Sequence, residues 1–311
     1  MPNWNEVLSE IQQQQALGTS HAQRSLDIVR KNYLQALHAY TGRNLIAYYS
    51  GWLSKPGLVA SEINDEDKNG FMMAVNKLDK SKGLDLILHT PGGSIASTQS
   101  IANYLHKIFG RDIRAIIPQI AMSAGTMMAC ACKEIWMGKH SNLGPIDPHF
   151  RGIPAYGVVK EFRRAIREVK KDPDKIKVWQ QIISQYRPTF LSQCENAISW
   201  SNAFVEKELF DGMFSDIPDR NEARDKAKKI AKTLANYSEN KSHEKHLHAE
   251  DCESIGLKIK HIESDADQQF QDLVLTVHHC YMHTFMNTPA IKIIENHAGA
   301  ALIKLQAAQS T

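Results

Sequence analysis

Net charge is nearly absent from this 311-residue chain, in which 37 Lys and Arg stand against 34 Asp and Glu, a formal +3 with histidines neutral. A balance that even leaves no electrostatic footprint for nucleic acid or an anionic membrane. The one short basic run, Lys226-Ala227-Lys228-Lys229, falls on a predicted helix and reads as a solvated face. No apolar run is long enough to span a bilayer. The opening residues, Met1-Pro2-Asn3-Trp4-Asn5-Glu6, lack the basic start and apolar stretch of a secretory signal. The five cysteines (130, 132, 194, 252 and 280) are an odd number without framework spacing. They argue against a disulfide scaffold and point to a reducing cytoplasm. Cys130-Ala131-Cys132 lies in an apolar segment and reads as small buried helix residues rather than a metal or redox pair. Gly-x-Gly-x-x-Gly, a Walker loop and His-Glu-x-x-His are also missing. Dinucleotide binding, a built-in ATP motor and zinc-protease chemistry therefore find no support.

What is present is an ordinary globular composition, 42% hydrophobic and 23% charged. Residues 1–42 read as helices broken at Gly18-Thr19-Ser20. A strand follows at 44–50, then a helix at 64–78. From 84 onward the pattern is strand 84–89, helix 94–109, strand 112–118, helix 122–132 and strand 133–138. Such β-α-β units with short connections predict an α/β fold with a helix-covered parallel sheet. Residues 139–157 read as a Pro- and Gly-rich loop, followed by helices at 154–171, 175–186, 189–212 and 219–236. The polar stretch 236–246 reads as a mobile loop. A helix end at Gly256 runs into a strand, 265–287 is helical, and 290–305 is a final apolar segment. The expected organisation is a helical N-terminal segment (1–42), a catalytic α/β core (43–153), a helical insert (154–240) and a C-terminal completion of the core (241–311).

Two turns carry the chemistry. Pro91-Gly92-Gly93-Ser94 follows the buried run Leu84-Asp85-Leu86-Ile87-Leu88, and Met122-Ser123-Ala124-Gly125 follows Ile113-Arg114-Ala115-Ile116-Ile117. Each opens onto a helix. Two adjacent strand-to-helix turns of this kind place free backbone N–H groups beside an exposed serine, which is what acyl transfer requires. Taken singly, Ser123 reads as an N-cap and Pro-Gly-Gly as an ordinary turn. Their occurrence in this order after successive strands is the specific signal.

Leu88-His89-Thr90-Pro91-Gly92-Gly93-Ser94 with Met122-Ser123-Ala124-Gly125 resembles the Clp protease/crotonase fold in its peptidase branches, which include the Clp protease and signal peptide peptidase A. Lys139-His140-Ser141-Asn142-Leu143-Gly144-Pro145-Ile146-Asp147-Pro148 is similar to the soluble family named for serine dehydrogenase proteinase. The resemblance covers about 44–305 and is most specific over 84–150. It implies Ser123 as nucleophile at a helix N-terminus, where the dipole favours a developing anion. It implies Gly92 or Gly93, with Ala124, as the oxyanion donors.

The general base stays open between alternatives. His149 stands 26 residues after Ser123, close to the Clp protease spacing, although the 141–148 loop aligns Ile146 or Asp147 nearest the family's histidine. Ser242-His243-Glu244-Lys245-His246 matches the segment that supplies the acid, with Glu244 at or near that position. Two triads result, Ser123–His149–Glu244 and Ser123–His243–Asp147, with His246 as a further base. Triads are defined by geometry and role rather than chain order. Lys175, 52 residues after Ser123, has the spacing of a signal peptide peptidase A lysine but sits in a charged stretch.

His279 and His283, at i and i+4, share a helix face that can chelate zinc, yet a polar face or subunit contact is the plainer reading. Trp179, Tyr186, Phe190, Trp200 and Phe204 read as core. No metal or cofactor is expected. The expected function is an ATP-independent serine peptidase acting on peptides or unfolded chains, as a homo-oligomer. A catalytically weak peptide-binding scaffold and a crotonase-like acyl-CoA enzyme are the alternatives.

Overall fold

The apolar runs become neighbouring strands in the computed structural model, which describes residues 4–16, 22–236, 242–263 and 268–306. Strands β1 (Asn44–Ser50), β2 (Leu84–His89), β3 (Ile113–Ile117), β4 (Glu134–Met137) and β5 (Ile259–His261) lie side by side and parallel. The break at 18–20, residues 237–241 of the polar stretch and the start of the 265–287 helix lie outside the described residues.

The 290–305 segment, read from sequence only as a final apolar segment, forms a hairpin, β6 (Ala290–Asn296) and β7 (Ala301–Leu305), that adds antiparallel to β1 at the edge of the mostly parallel sheet. The order is β7-β6-β1-β2-β3-β4-β5, seven strands among the described residues. Burial explains why β6 carries no alternating pattern. All seven of its residues are buried. Its two charged side chains are paired inside the protein: Lys292 Nζ lies 2.7 Å from Asp67 and Glu295 lies 2.6 Å from Arg30.

Successive side chains of a strand point to opposite faces. On β2, Leu84, Leu86 and Leu88 enter the larger core, with α3 (Asp67–Ala74), α4 (Ile95–Phe109) and α5 (Ala124–Cys130). Ile87, with Leu45, Ala47 and Tyr49 of β1, enters a second core. That core is covered by α2 (Ala22–Thr41) and α11 (Gln268–Asn287), and α1 (Trp4–Ala16) packs beside them. All five cysteines are free and buried.

The insert is helical as read, with α6 (Ala155–Lys171), α7 (Ile176–Ile183), α8 (Phe190–Glu208) and α9 (Arg220–Leu234). Phe204 and Val205 of α8 and Ala223 and Ile230 of α9 join the main core, which ties the insert to the sheet. Helix α10 (Ala249–Ile255) ends at Gly256, whose φ of 107° provides the left-handed cap, and the chain then enters β5. The 139–157 stretch is not a plain loop. It contains two-residue strands at 142–143, 149–150 and 153–154.

Candidate active site

The two turns are laced together by backbone hydrogen bonds. Thr90 N–H donates to Ile120 O at 3.1 Å, and Met122 N–H donates to Thr90 O at 3.0 Å. The glycine turn is also pinned by Ile63, whose N–H donates to Gly92 O at 2.7 Å and whose carbonyl accepts from Ser94 N–H at 2.9 Å. Gly92 N–H donates to Thr90 Oγ1 at 3.2 Å. Gly92 and Ser94 thus have engaged N–H groups, and Gly93 holds the free donor of this turn among the described residues.

Both glycines are required by space and by backbone angle. Gly92 has φ 100°, and a Cβ there would lie 2.7 Å from Ser123 Cβ and 3.0 Å from Ala124 N. Gly93 has φ 149°, and a Cβ would meet backbone atoms of Ile63 at 2.4 and 2.5 Å. Close approach of the two turns is therefore built into the sequence.

Ser94 and Ser123 occupy equivalent helix starts but behave differently. Ser94 Oγ accepts from Ser97 N–H at 3.2 Å and caps α4. Ser123 stands at the N-cap of α5, makes no side-chain cap bond, and has φ 52° and ψ −117°. Such a conformation costs a non-glycine residue on the order of 1–3 kcal/mol and is tolerated where the surroundings enforce it. The hydroxyl is left for other work, at a dipole end that favours negative charge. Ala124 N–H, at the first helical position, has no acceptor within the helix.

His243 and Asp147 meet through long-range pairing. Leu143 and Leu247 exchange both backbone hydrogen bonds at 2.9 Å, an antiparallel bridge. Asp147 lies four residues beyond Leu143 and His243 four residues before Leu247. Antiparallel direction brings them to the same level, and His243 Nδ1 lies 2.9 Å from Asp147 Oδ1. His149 Nδ1 sits 3.0 Å from the Asp147 carbonyl and 3.6 Å from its Oδ2. The two imidazole rings are 4.0 Å apart between centroids. Asp147 is 1% exposed and its Oδ2 has no hydrogen-bond partner. Burial, and then neighbouring His243, hold the His149 imidazole below the usual histidine range, against an opposing pull from Asp147.

A cavity of about 890 Å³ joins these parts. Its lining includes Pro91, Gly92, Gly93, Ser123, His149 and His243, and Ile95, Met127, Ile146, Phe150 and Trp200 give it an apolar wall.

The model of the family described as ClpP-like SDH-type serine proteinase matches residues 50–295. The chain belongs to this family. Two proteins of Methanocaldococcus jannaschii, both named only as uncharacterized, are similar. MJ0137 is 33% identical over 136 residues, 44% of this chain and 45% of that protein. MJ1495 is 34% identical over 110 residues, 35% of this chain and 37% of that protein. The similarity thus spans less than half the length of either relative.

Within this member of the family, the residues singled out from sequence fall into two groups. Ser123, Gly92, Gly93, His149 and His243 line one cavity, Ala124 follows Ser123, and Asp147 lies behind the histidines. Glu244 does not join them. It is exposed, it is not part of the cavity wall, and among the described residues no hydrogen bond links it to His149. His246 is likewise exposed. Lys175 is 3.4 Å from Glu168 on the insert and half-exposed, away from the cavity wall. His279 and His283 lie under Trp4, with ring centroids 5.4 and 4.0 Å away, so their face is covered from within the chain.

Trp200 corrects the aromatic reading. It is 44% exposed, with its indole N–H 2.8 Å from Gln99 Oε1, and it stands at the cavity wall rather than in the core. Its position on α8 beside polar neighbours carried no local signal for this role. Ile63 was also missed, since a backbone strap leaves no side-chain signature.

Proposed function

We propose that this chain is a serine peptidase in which Ser123 is the nucleophile, His243 the general base, and Asp147 the acid that orients it. The observation that carries this reading is the pairing of an uncapped Ser123 hydroxyl with a His243–Asp147 hydrogen bond at one cavity. Asp147 accepting from Nδ1–H keeps the Nε2 lone pair of His243 available to the serine. Ser123 Oγ attacks the scissile carbonyl as His243 takes its proton. The tetrahedral oxyanion accepts from Gly93 N–H and Ala124 N–H. His243 then protonates the leaving amine, the C–N bond breaks, and water hydrolyses the acyl-enzyme by the same proton relay.

The apolar wall favours an extended peptide that inserts an apolar side chain beside Met127, Ile146 and Trp200. Exposed Ile166, Ile176 and Val178 on α6 and α7 support a homo-oligomer through the insert. The free, buried cysteines agree with a reducing compartment. Among the described residues no helix is long and apolar enough to cross a membrane.

A second assignment, with His149 as base, is favoured by its 3.0 Å contact to the Asp147 carbonyl, which would leave Nε2 unprotonated. Hydrolysis of casein and of fluorogenic peptides by wild type, Ser123→Ala, His149→Ala and His243→Ala tests the proposal. Ser123→Ala is expected to abolish hydrolysis with an unchanged circular dichroism spectrum, and His243→Ala to lower kcat by about 100-fold or more. Hydrolysis retained by Ser123→Ala overturns the proposal. A large loss in His149→Ala with little change in His243→Ala transfers the base to His149.

A further inference from the structure

The triad proposed above uses Asp147 and one imidazole, yet two imidazoles converge on that carboxylate. Among the described residues, Asp147, His149 and His243 form the one group of side chains whose potential ligand atoms, one from each, all lie within 4.8 Å of one another. Two shorter separations are already close to those in a metal site: 2.9 Å from His243 Nδ1 to Asp147 Oδ1, and 3.6 Å from His149 Nδ1 to Asp147 Oδ2. Neighbouring ligands of a tetrahedral zinc ion, each at about 2.0–2.1 Å, are about 3.3 Å apart. Small rotations of the two rings therefore suffice.

A second observation points the same way. Asp147 Oδ2 is buried and has no hydrogen-bond partner, on the side of the carboxylate that faces His149. A buried carboxylate oxygen without a donor is costly, and a cation there would satisfy it.

We infer that Asp147, His149 and His243 form a site for a divalent transition-metal ion of the zinc type, and that occupation of this site switches the peptidase off. Two imidazole nitrogens and one carboxylate oxygen suit Zn(II), Co(II) and Ni(II) and are a poor set for Ca(II) or Mg(II), which take mainly oxygen ligands. Three protein ligands leave a fourth position for water. An ion on His243 Nδ1 displaces the proton held there, the neutral ring then carries its one proton on Nε2, and His243 no longer accepts the serine proton. The metal site stands on its own geometry, whereas the inhibitory consequence rests on the serine-peptidase reading.

The test titrates EDTA-treated, dialysed protein with ZnCl2 by calorimetry. It follows Co(II) binding by visible absorption and labels the serine with a fluorophosphonate in EDTA and in excess Zn(II). The expected result is one Zn(II) per chain, a Co(II) spectrum of tetrahedral intensity, no heat with CaCl2, and labelling suppressed at least tenfold by Zn(II) and restored by EDTA. His149→Asn is expected to weaken Zn(II) binding by more than about 10- to 100-fold, the range that outer-shell changes alone produce. Ser123→Ala is expected to keep the Zn(II) heat. Absence of stoichiometric Zn(II) binding by the wild type, or binding unaffected in His149→Asn, overturns the site. Labelling in EDTA together with absent Zn(II) binding overturns the site and leaves the peptidase reading standing. Zn(II) binding without labelling in EDTA keeps the site and overturns its inhibitory role together with that reading.

Discussion

Asp147→Asn is expected to separate catalysis from stability. The carboxylate is 1% exposed, with Oδ1 2.9 Å from His243 Nδ1 and Oδ2 without a partner. Asparagine keeps the shape but offers an amide N–H where a carboxylate accepted. If that N–H faces Nδ1, the His243 proton moves to Nε2, the wrong nitrogen for taking a proton from Ser123. A wrong tautomer of this kind costs about 10,000-fold in kcat, close to 5.5 kcal/mol of barrier. Folding should respond in the other direction. A buried carboxylate with one unpartnered oxygen gives way to a neutral amide, so one desolvated charge is removed and no well-paired ion bridge is lost. Tm should hold within about 3 °C or rise. Peptide hydrolysis under saturating substrate, with a thermal melt on the same sample, reads both. A kcat within tenfold of wild type would falsify Asp147 as the orienting acid. A large drop in Tm would mean that the variant reports on folding and that the carboxylate is structural.

Further outcomes follow from other parts of the molecule. Gly93→Ala places a Cβ 2.4 Å from Ile63 N, against backbone that cannot step aside, and should displace the oxyanion donor. A kcat loss of about 100- to 1,000-fold is expected, and a loss below tenfold would count against the Gly93 assignment. His89 is fully buried among Tyr49, Trp52 and His278, its ring nitrogens unpartnered, and burial pushes its pKa down to about 3. Because the unfolded chain binds the proton first, stability should fall as pH drops from about 6.5 toward 3, by about 1.4 kcal/mol per unit from this group. Urea unfolding at pH 7 and pH 5 measures that slope, which His89→Phe should flatten; an unchanged slope refutes the assignment. Asp67→Ala would leave the buried Lys292 ammonium, 2.7 Å from Asp67, without its partner carboxylate. A loss of about 3–5 kcal/mol is expected in the same assay, and a loss below 1 kcal/mol would show that water reaches the lysine.

Strands β1, β2 and β3 were legible as short, largely buried apolar runs followed by a turn residue, as Leu84–His89 is by Pro91 and Gly92. Helix starts were legible where a polar cap exists, as at Ser94. The β6–β7 hairpin was not, because burial on both faces removes alternation, and Lys292 and Glu295 sit inside with ion-pair partners more than 200 residues away in sequence. At the candidate site, the Ser123 and glycine turns are marked by local spacing. The meeting of His243 with Asp147 is not. It depends on the antiparallel bridge between Leu143 and Leu247, which no local pattern encodes and which brings His243 rather than Glu244 to Asp147. Trp200 and Ile63 escaped for the same reason, since each acts across a tertiary contact.

The most direct test of the central claim is fluorophosphonate labelling of the EDTA-treated protein, with the adduct located by peptide mass spectrometry. A single adduct on Ser123, absent in Ser123→Ala and strongly reduced in His243→Ala, is the predicted result. An unlabelled Ser123, or an adduct on another residue, would contradict it.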